Sequence, residues 1–499
     1  MKKKKILAAV LAGLMLTSGL AGCGEKKDST DGEQVVLKWV MTGPGRQKDS
    51  EEVWAAVNAK LNEKIPNVTI DFDVMDGADY KQSVMLMQTG KEKLDIVNTY
   101  GLNFIEDVEN GSFIDITDLL DEYGTGIKEQ IPEFMFDYMR VGDGIYAVPS
   151  YQALANERCL VTQKEYADQW LDVEGLKKAM YSSDYASDEA IKIIEDYMQK
   201  LDENGKLYYG AYHYNEYPTK GTETIKGNFI VDNNTHEVYY KFEYEPMKEQ
   251  YRRHAEWYKK GWIRKDALSC TDESEKRGIM EGYTLFDSGY NPWVADSIGG
   301  EDAEFIAIPF SEESFIPSVS AAGGNAITSS CEHPELAMQV LNLFQTDKEL
   351  YNLLTFGIEG KHYTKVGENE IETPYSGQGT SNDAYGIYKW IVGNTQLAYL
   401  TQDYTQEKFD YDFNVVNKSD YRSDLIGFVP VLDEVADNIA QLDAIKGEYM
   451  KTLATGALGD GWEAYYNEWM TKANAAGLQK VKEILQQQVD EFLTRQRLP

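Results

Sequence analysis

The sequence predicts an α/β protein of several domains with a helical C-terminal end. The chain has 499 residues, a length that suggests about two to four domains. Apolar residues make up 42% of the chain and charged residues 26%, as in folded globular proteins. Strand and helix patterns alternate near the N-terminus, and such alternation favours a parallel sheet with right-handed crossovers.

The first α/β region covers residues 35–100. Helical spacing of apolar residues predicts each helix, and alternation of apolar and polar residues predicts the second strand. The predicted strands are Val35–Met41, Val68–Met75 and Leu94–Tyr100, and the predicted helices are Ser50–Lys64 and Tyr80–Thr89. In open parallel sheets, ligands bind beyond the carboxyl ends of the strands. The segments that follow these strands are therefore candidates for contact with a ligand.

A second α/β region follows a turn and short strand within Asp143–Gln152. Residues 155–285 are rich in Tyr, Lys and Glu, with helical stretches at 186–203 and 246–260. Ala303–Phe310 is a predicted strand, and Val319–Asp347 predicts a small-residue strand followed by a helix. Two apolar stripes near the C-terminus predict buried helix faces; they contain Val435, Ile439, Leu442 and Ile445, and then Val481, Ile484, Leu485, Val489 and Phe492.

The N-terminus has the features of a bacterial secretion signal. Met1–Lys5 is basic, Ile6–Leu20 is apolar but short for a bilayer-spanning helix, and small residues precede Cys23. The sequence "LAGC" resembles a lipobox, which implies cleavage after residue 22 and diacylglycerol on Cys23. Residues 23–34 would then form a polar tether. The alternative is an uncleaved membrane anchor.

The net charge of −34 excludes a general nucleic-acid-binding role, because such binding depends on Lys and Arg at phosphates. It leaves open a cationic ligand such as a polyamine. The five histidines are widely separated and lack zinc-motif spacing, and the three later cysteines are too few and too scattered for a disulfide framework. We therefore expect no metal and no cofactor.

The stretch Leu285–Trp293, "LFDSGYNPW", combines loop-forming residues with two large rings, Tyr290 and Trp293. Either the rings pack in a core or they face a ligand. The residues alone leave both alternatives open.

The order of several motifs resembles one family. "YAVPSY", "DSGYNPW", "IAIPF" and "SAAGGNAITSSCEHPELAMQVLNLF" follow the lipobox and the N-terminal strands. This order is similar to that of family 1 extracellular solute-binding proteins, the sugar-capturing lipoproteins of bacterial ABC importers. "FGIEGKHY", "WIVGN", "LIGFVP" and "AAGLQKV" resemble a Firmicutes subgroup with a C-terminal domain of unknown function.

The resemblance implies a type II periplasmic-binding-protein-like fold, in which two α/β lobes close about a hinge, with a helical C-terminal extension. One lobe would hold residues 35–149 and 320–350, and the other 150–319 and 351–499. The hinge crossings would lie at Ala147–Tyr151 and Pro317–Ala322. The implied protein is a monomer that is not an enzyme, is lipid-anchored on the extracellular face of the cell membrane, and has ABC permease subunits as partners.

The implied ligand is an oligosaccharide, since rings can stack on sugar C–H faces while polar groups fix orientation. Trp293 matches the family tryptophan that stacks on sugar. The full set of candidate ligand-binding residues is Thr42, Gly43, Tyr80, Tyr100, Tyr151, Tyr290, Trp293 and Trp390. Core packing is the alternative for each ring, and it is the stronger alternative for Trp390. Tyr80 has a second alternative, as a staple at a helix start.

Other functions remain as alternatives. A glycan-active enzyme needs only two carboxylates, and the 83 acidic residues supply many chance pairs. No nucleophile elbow, zinc helix or phosphate loop supports this alternative. Binding of a peptide or polyamine and a purely adhesive surface role are the remaining alternatives.

Overall fold

A computed structural model describes residues 34–154, 157–182, 187–207, 221–269, 285–298, 303–318, 323–374 and 385–496. The strands in chain order are β1 Val35–Gly43, β2 Val68–Asp76, β3 Ile96–Asn98, β4 Arg140–Val141, β5 Gly144–Ile145, β6 Val148–Pro149, β7 Glu157–Gln163, β8 Thr222–Lys226, β9 Phe229–Asp232, β10 Val238–Tyr240, β11 Leu285–Tyr290, β12 Phe305–Pro309, β13 Gly324–Ile327, β14 Thr364–Lys365 and β15 Ile371–Glu372.

The α-helices are numbered in the same way. They are α1 Ser50–Lys64, α2 Gly77–Gly90, α3 Phe104–Glu109, α4 Thr117–Tyr123, α5 Thr125–Gln130, α6 Lys164–Trp170, α7 Val173–Tyr181, α8 Asp188–Glu203, α9 Glu245–Lys260, α10 Val294–Ile298, α11 Pro334–Thr346, α12 Lys348–Phe356, α13 Lys389–Val392, α14 Gln406–Asn414, α15 Ala436–Ala454, α16 Trp462–Ala475 and α17 Leu478–Gln496. Among the described residues, no helix is both long enough and apolar enough to span a bilayer.

The first sheet has the order β2-β1-β3-β13-β6 and contains the predicted parallel unit. β1 pairs in parallel with β2 and with β3, while β13 runs antiparallel to β3 and to β6. Helix α1 has the predicted bounds, and its buried face consists of Ser50, Val53, Trp54, Val57 and Leu61. The third strand is shorter than predicted, because only residues 96–98 pair.

The core of the first lobe gathers residues that are far apart in sequence. Trp39 on β1 packs edge-on against Phe344 on α11, with ring centroids 5.2 Å apart. Buried residues between positions 351 and 413, from Tyr351 to Phe413, belong to this same core. The predicted division assigned residues 351–499 to the second lobe. The packing differs from it, because residues 351–413 bury their apolar side chains in the first lobe.

The second lobe is built on an antiparallel sheet with the order β11-β7-β12. One face packs on α6, α7 and α8, in a core that also contains Trp257 and Trp262. The stretch "LFDSGYNPW" differs from the predicted loop, because β11 continues through Tyr290 in pairing with β7. The irregular segment therefore begins only at Asn291.

A third body joins a small sheet to the C-terminal helices. Strands β8, β9 and β10 form an antiparallel sheet whose core is shared with α9 and α15–α17. Both apolar stripes predicted near the C-terminus lie in or against this core, with Val435, Leu442, Val481, Leu485 and Val489 buried. The predicted helical C-terminal extension is therefore confirmed. We call this unit the C-terminal body.

In the part of the chain that the structure describes, three segments connect the first lobe to the other bodies. The first crossing leaves the first sheet after Ser150, whose N–H donates to the Gly323 carbonyl at 3.1 Å. The predicted crossing at Ala147–Tyr151 thus begins within the first lobe, because β6 pairs with β13. The second crossing includes Phe310–Ser318, and residues 319–322 of the predicted range lie outside the described residues. The third crossing is Val415–Asp424.

Candidate ligand-binding site

Helix α14 brings together rings from both lobes. Its Phe413 packs edge-on against Tyr151 of the first crossing, with centroids 5.3 Å apart. Its Tyr411 packs edge-on against Trp293 from the second lobe, at 5.7 Å and an interplanar angle of 86°. We call Tyr151, Trp293, Tyr411 and Phe413 the α14 cluster. It spans the junction of the two lobes.

A second group of rings, the Tyr100 cluster, consists of Tyr100, Tyr388 and Trp390. Tyr100 and Trp390 meet edge-on at 4.6 Å, and Trp390 stacks on Tyr388 at 6.0 Å with an interplanar angle of 12°. Tyr100 is 45% exposed although its ring is large and apolar. An exposed aromatic surface beyond the end of β3 matches the position at which parallel sheets bind ligands.

Two buried amides fix the backbone that holds the Tyr100 cluster. Asn325 on β13 donates to the Ile391 carbonyl at 3.0 Å and accepts from the Trp39 indole at 3.1 Å. Asn98 at the end of β3 accepts from the Tyr100 N–H at 3.1 Å. Both amides are fully buried. They position Tyr100 and the α13 residues at the same sheet end.

The same segment also fixes Tyr151. The Tyr151 N–H donates to the Gly393 carbonyl at 3.3 Å, and the Tyr151 carbonyl accepts from the N–H and the hydroxyl of Thr395. Residues 391–395 therefore connect the two ring clusters through the backbone.

Charged groups lie on the two segments that carry the clusters, residues 388–390 and α14. The Lys389 ammonium lies 4.0 Å from the centroid of the Tyr404 ring, and the Tyr404 hydroxyl donates to Asp412 at 2.6 Å. Burial lowers the pKa of Lys389 to about 8 and raises the pKa of Asp412. The Lys408 ammonium lies 5.6 Å from the Trp293 ring centroid. The site thus combines rings with a few charged and hydrogen-bonding groups.

Several predicted residues come together here, and others do not. Tyr100 and Trp390 touch each other, while Tyr151 and Trp293 both contact α14. Tyr290 instead packs against a small core of the second lobe. The Trp293 N–H donates to the Asn291 side chain at 3.0 Å, in a turn that sets the position of the indole.

Tyr80, one of the predicted ligand-binding residues, is buried in the first lobe. It is 2% exposed, and its hydroxyl donates to the Asn98 carbonyl and toward the Val40 carbonyl. Its ring and its hydroxyl are thus both used in holding β1, β3 and α2 together, so in this conformation it offers no surface to a ligand. Thr42 is buried at the end of β1, and a side chain at Gly43 would approach Val74 closely.

Five residues of this region were not predicted from the sequence as site residues: Tyr388, Lys389, Tyr411, Asp412 and Phe413. Their only sequence signal is aromatic content within 385–414, a segment without regular periodicity. Asn98 and Asn325 were also missed, although each lies at the end or within a predicted strand, where a polar residue is unusual. The available signal was an asparagine within an otherwise apolar predicted strand.

The architecture and the junction site define a class of protein. Two α/β lobes joined by three crossings, with rings from both at the junction, form a type II periplasmic-binding-protein-like fold, as predicted. A carbohydrate ABC transporter substrate-binding protein from Streptococcus pneumoniae serotype 4 is 23% identical to this chain over 518 residues, covering 99% of each.

Solved structures agree with this fold. The N-glycan transport solute binding protein NgtS from Streptococcus pneumoniae matches with a TM-score of 0.73 and 20% identity, over 93% of this chain and all of that one. The same protein in complex with Man1GlcNAc matches with a TM-score of 0.61. Residues 424–494 match the model of a domain of unknown function, DUF3502, as the predicted subgroup requires. This match begins where the third crossing ends.

Proposed function

We propose that this chain is an extracellular, lipid-anchored solute-binding protein that captures an oligosaccharide by closure of its two lobes and delivers it to an ABC importer. The observation that carries this proposal is that rings from both lobes meet at α14, and that residues 391–395 join this cluster to the partly exposed Tyr100 cluster. Exposed rings offer flat apolar faces to sugar C–H groups. Lys408 lies beside the Trp293 ring, and Lys389 and Asp412 both contact Tyr404 on the same two segments as the rings, so polar groups accompany the aromatic ones.

The full-length relative supports the substrate class and the transport role. It is named as a carbohydrate ABC transporter substrate-binding protein, and the solved NgtS structure is named for N-glycan transport. The ring clusters are consistent with a ligand of that chemistry. A peptide or a polyamine would instead require acidic groups to dominate the junction.

The proposed site consists of residues from both clusters. Tyr100 provides the exposed ring of the first lobe with partly buried Trp390 against it, and Trp293 provides the ring of the second lobe, while buried Tyr151 would act through its contact with α14. Thr42 and Gly43 lie at the end of β1, where they would border the site. Tyr290 would act only by supporting Trp293.

Anchoring and delivery are parts of the same proposal. Residues 1–33 lie outside the described residues, so the lipid on Cys23 and the tether are supported by sequence alone. Mass spectrometry of the membrane-extracted protein should find diacylglycerol on Cys23. A protein that retains residues 1–22 would contradict the proposed anchor.

Ligand class is tested by a thermal-shift screen of residues 24–499 against oligosaccharides, amino acids, peptides and polyamines. We expect an oligosaccharide to raise the melting temperature, because a ligand that binds only the folded state stabilises it. Stabilisation by polyamines or peptides alone would contradict the carbohydrate assignment. Incubation of the stabilising glycan with the pure protein should leave it intact, and its cleavage would instead support a glycan-active enzyme.

The role of Trp293 is tested with a matched pair of variants. Trp293→Ala should weaken binding of the confirmed oligosaccharide by about 2 kcal/mol, as loss of a buried aromatic contact does. Trp170→Ala is the control, because Trp170 stacks on Tyr166 in α6 of the second lobe, outside both clusters. Equal affinities for the two variants would place Trp293 outside the site.

A further inference from the structure

We propose that Glu223 is a positioning residue that sets the geometry of the hinge by fixing the second and third crossings to the C-terminal body. This inference rests on the proposed function, since it concerns how the two lobes close on the ligand. Glu223 lies on β8, far from both ring clusters in the sequence. No ligand contact is required of it.

The second and third crossings pair with each other. The Ile316 N–H donates to the Tyr421 carbonyl at 2.9 Å, and the Ser423 N–H donates to the Ile316 carbonyl at 2.9 Å. Ile316 and Arg422 form a parallel bridge. The two crossings therefore behave as one short ribbon between the lobes.

The Glu223 carboxylate holds both members of this ribbon. One oxygen accepts from the Ser318 N–H at 2.7 Å, and the other accepts from the Ser423 hydroxyl. The Ser423 hydroxyl in turn accepts from the Leu425 N–H at 2.9 Å. The Glu223 residue is only 7% exposed, so these bonds are shielded from water. One side chain thus connects β8 to the last described residue of the second crossing and to the third crossing.

A second buried side chain extends the connection to the first crossing. Asn417 of the third crossing accepts from the Leu154 N–H at 2.9 Å and donates to the Gln152 carbonyl at 2.8 Å. The first lobe contacts the ribbon separately, because the Tyr138 hydroxyl donates to the Pro317 carbonyl at 2.6 Å. All three crossings are therefore coupled, and Glu223 links the second and third of them to the C-terminal body.

The chemistry of Glu223 favours a positioning role. Removing a carboxylate from water is costly unless its oxygens are hydrogen-bonded. The two donors to Glu223 are the Ser318 N–H of the second crossing and the Ser423 hydroxyl of the third. Crossings of this kind change their backbone angles when two lobes close. An amide in place of the carboxylate keeps the volume but removes the negative charge, and its NH₂ group must face the Ser423 hydroxyl, which would then have to accept rather than donate. The Glu223→Gln variant therefore replaces two charge-assisted bonds with weaker neutral ones, with little change in packing.

The experiment compares wild type with Glu223→Gln, Glu223→Ala and the control Asp95→Asn. Asp95 is also a buried carboxylate that accepts a backbone N–H, from Lys38 at 2.7 Å, but it lies in the first sheet. Hydrogen exchange on the free protein should rise by about tenfold in peptides that cover 314–318 and 416–425 of Glu223→Gln, as expected for loss of local protection. Asp95→Asn should leave those peptides unchanged.

The same variants are then tested for closure and binding. We expect the oligosaccharide found in the thermal-shift screen to bind Glu223→Gln about threefold or more weakly, because open conformations reduce the population of the binding-competent state. For the same reason, X-ray scattering should give the free variant a larger radius of gyration than the free wild type. A lower melting temperature with wild-type exchange, affinity and radius would overturn the proposal. So would equal effects from Asp95→Asn.

Failure of this inference is distinguishable from failure of the proposed function. If wild type binds no oligosaccharide and does not compact, the proposed function is contradicted. The hydrogen-exchange comparison needs no ligand, so unchanged exchange in Glu223→Gln contradicts the role of Glu223 by itself. If Glu223→Ala does not fold, the isosteric Glu223→Gln variant still decides the outcome.

Discussion

The Tyr100 cluster and the α14 cluster differ in where their residues originate. Tyr100, Tyr388 and Trp390 all belong to the first lobe, and two fully buried amides hold their backbone. The α14 cluster instead depends on Trp293, which follows β11 of the second lobe. The first cluster is therefore complete within one lobe, whereas the second changes whenever the lobes move. The comparison suggests that the first lobe receives the ligand and that the α14 cluster responds to closure.

The largest expected effect concerns the helix that supports the second cluster. Phe413→Ala should lower the free energy of unfolding by about 3–5 kcal/mol, because it removes a ring from a buried position and leaves Tyr151 without its edge contact. Urea unfolding followed by tryptophan fluorescence measures this change. Phe409→Ala, on the partly buried side of α14, is the control and should cost less. Equal losses would mean that Phe413 has no special supporting role.

Removal of the partly buried tryptophan of the Tyr100 cluster should mainly affect binding. Trp390→Ala should weaken oligosaccharide binding by about 2–3 kcal/mol, as truncation of a central aromatic contact does. Isothermal titration calorimetry gives the affinity, and X-ray scattering gives the compaction on binding. We expect compaction at saturation to persist in Trp390→Ala and to decrease in Trp293→Ala. If compaction instead decreased in Trp390→Ala and persisted in Trp293→Ala, the proposed roles of the two clusters would be reversed.

Lys389 provides a pH test of residues 388–390, the segment that carries part of the Tyr100 cluster. Its pKa in the folded protein is about 8, below the ordinary 10.5, because burial disfavours the charged form. The unfolded chain therefore binds more protons than the folded protein between pH 8 and 10.5, and this group contributes increasing stability as the pH rises through that window. Partial solvent access reduces the contribution to about 1–2 kcal/mol.

Lys389→Met removes this titration. The variant should be more stable than wild type at pH 7, and the stability difference between the two should shrink from pH 8 to pH 10. Denaturant unfolding at a series of pH values measures both quantities. A difference that stays constant across the series would show that Lys389 is not the group responsible.

The smallest effect is expected at Tyr80, which the sequence placed in the site and the structure buries. Tyr80→Phe removes one hydroxyl from the backbone carbonyls of Val40 within β1 and Asn98 at the end of β3, at a cost of about 1 kcal/mol in stability. Oligosaccharide affinity should equal that of wild type. If Tyr80→Phe bound the oligosaccharide more weakly without losing stability, Tyr80 would be a ligand-binding residue after all.

The sequence predicted those parts of the fold in which local pattern and tertiary environment agree. Helix α1 has a single apolar face and the predicted bounds, and β1 is buried along most of its length. Residues 351–413 were assigned to the second lobe, although their buried side chains lie in the core of the first. Short helices and irregular segments have no periodicity that indicates which core they join. Nothing local indicates that Tyr399 packs with Phe356 and Tyr363 of the first lobe.

The candidate site was predictable only in part, for the same reason. Trp293 and Tyr100 stood out as rings beside strand ends or loop residues, and both lie in the ring clusters. Tyr411 and Phe413 lie on a short helix whose two faces meet different lobes, so their role depends on tertiary contacts alone. Asn325 bonds to Trp39 and Ile391, partners that are distant in sequence.

The first lobe is assembled from two distant parts of the chain, and this has a consequence for how the protein reaches its native state. Trp39 donates a hydrogen bond to Asn325 across 286 positions of sequence, and Phe413 completes the same core. The N-terminal β-α-β unit therefore cannot complete its apolar core until residues 325–413 have been synthesised and are free to pack on it. Pairing over such distances slows folding. A chain of this design exposes apolar strands until its distant parts meet, and such exposure favours aggregation during folding.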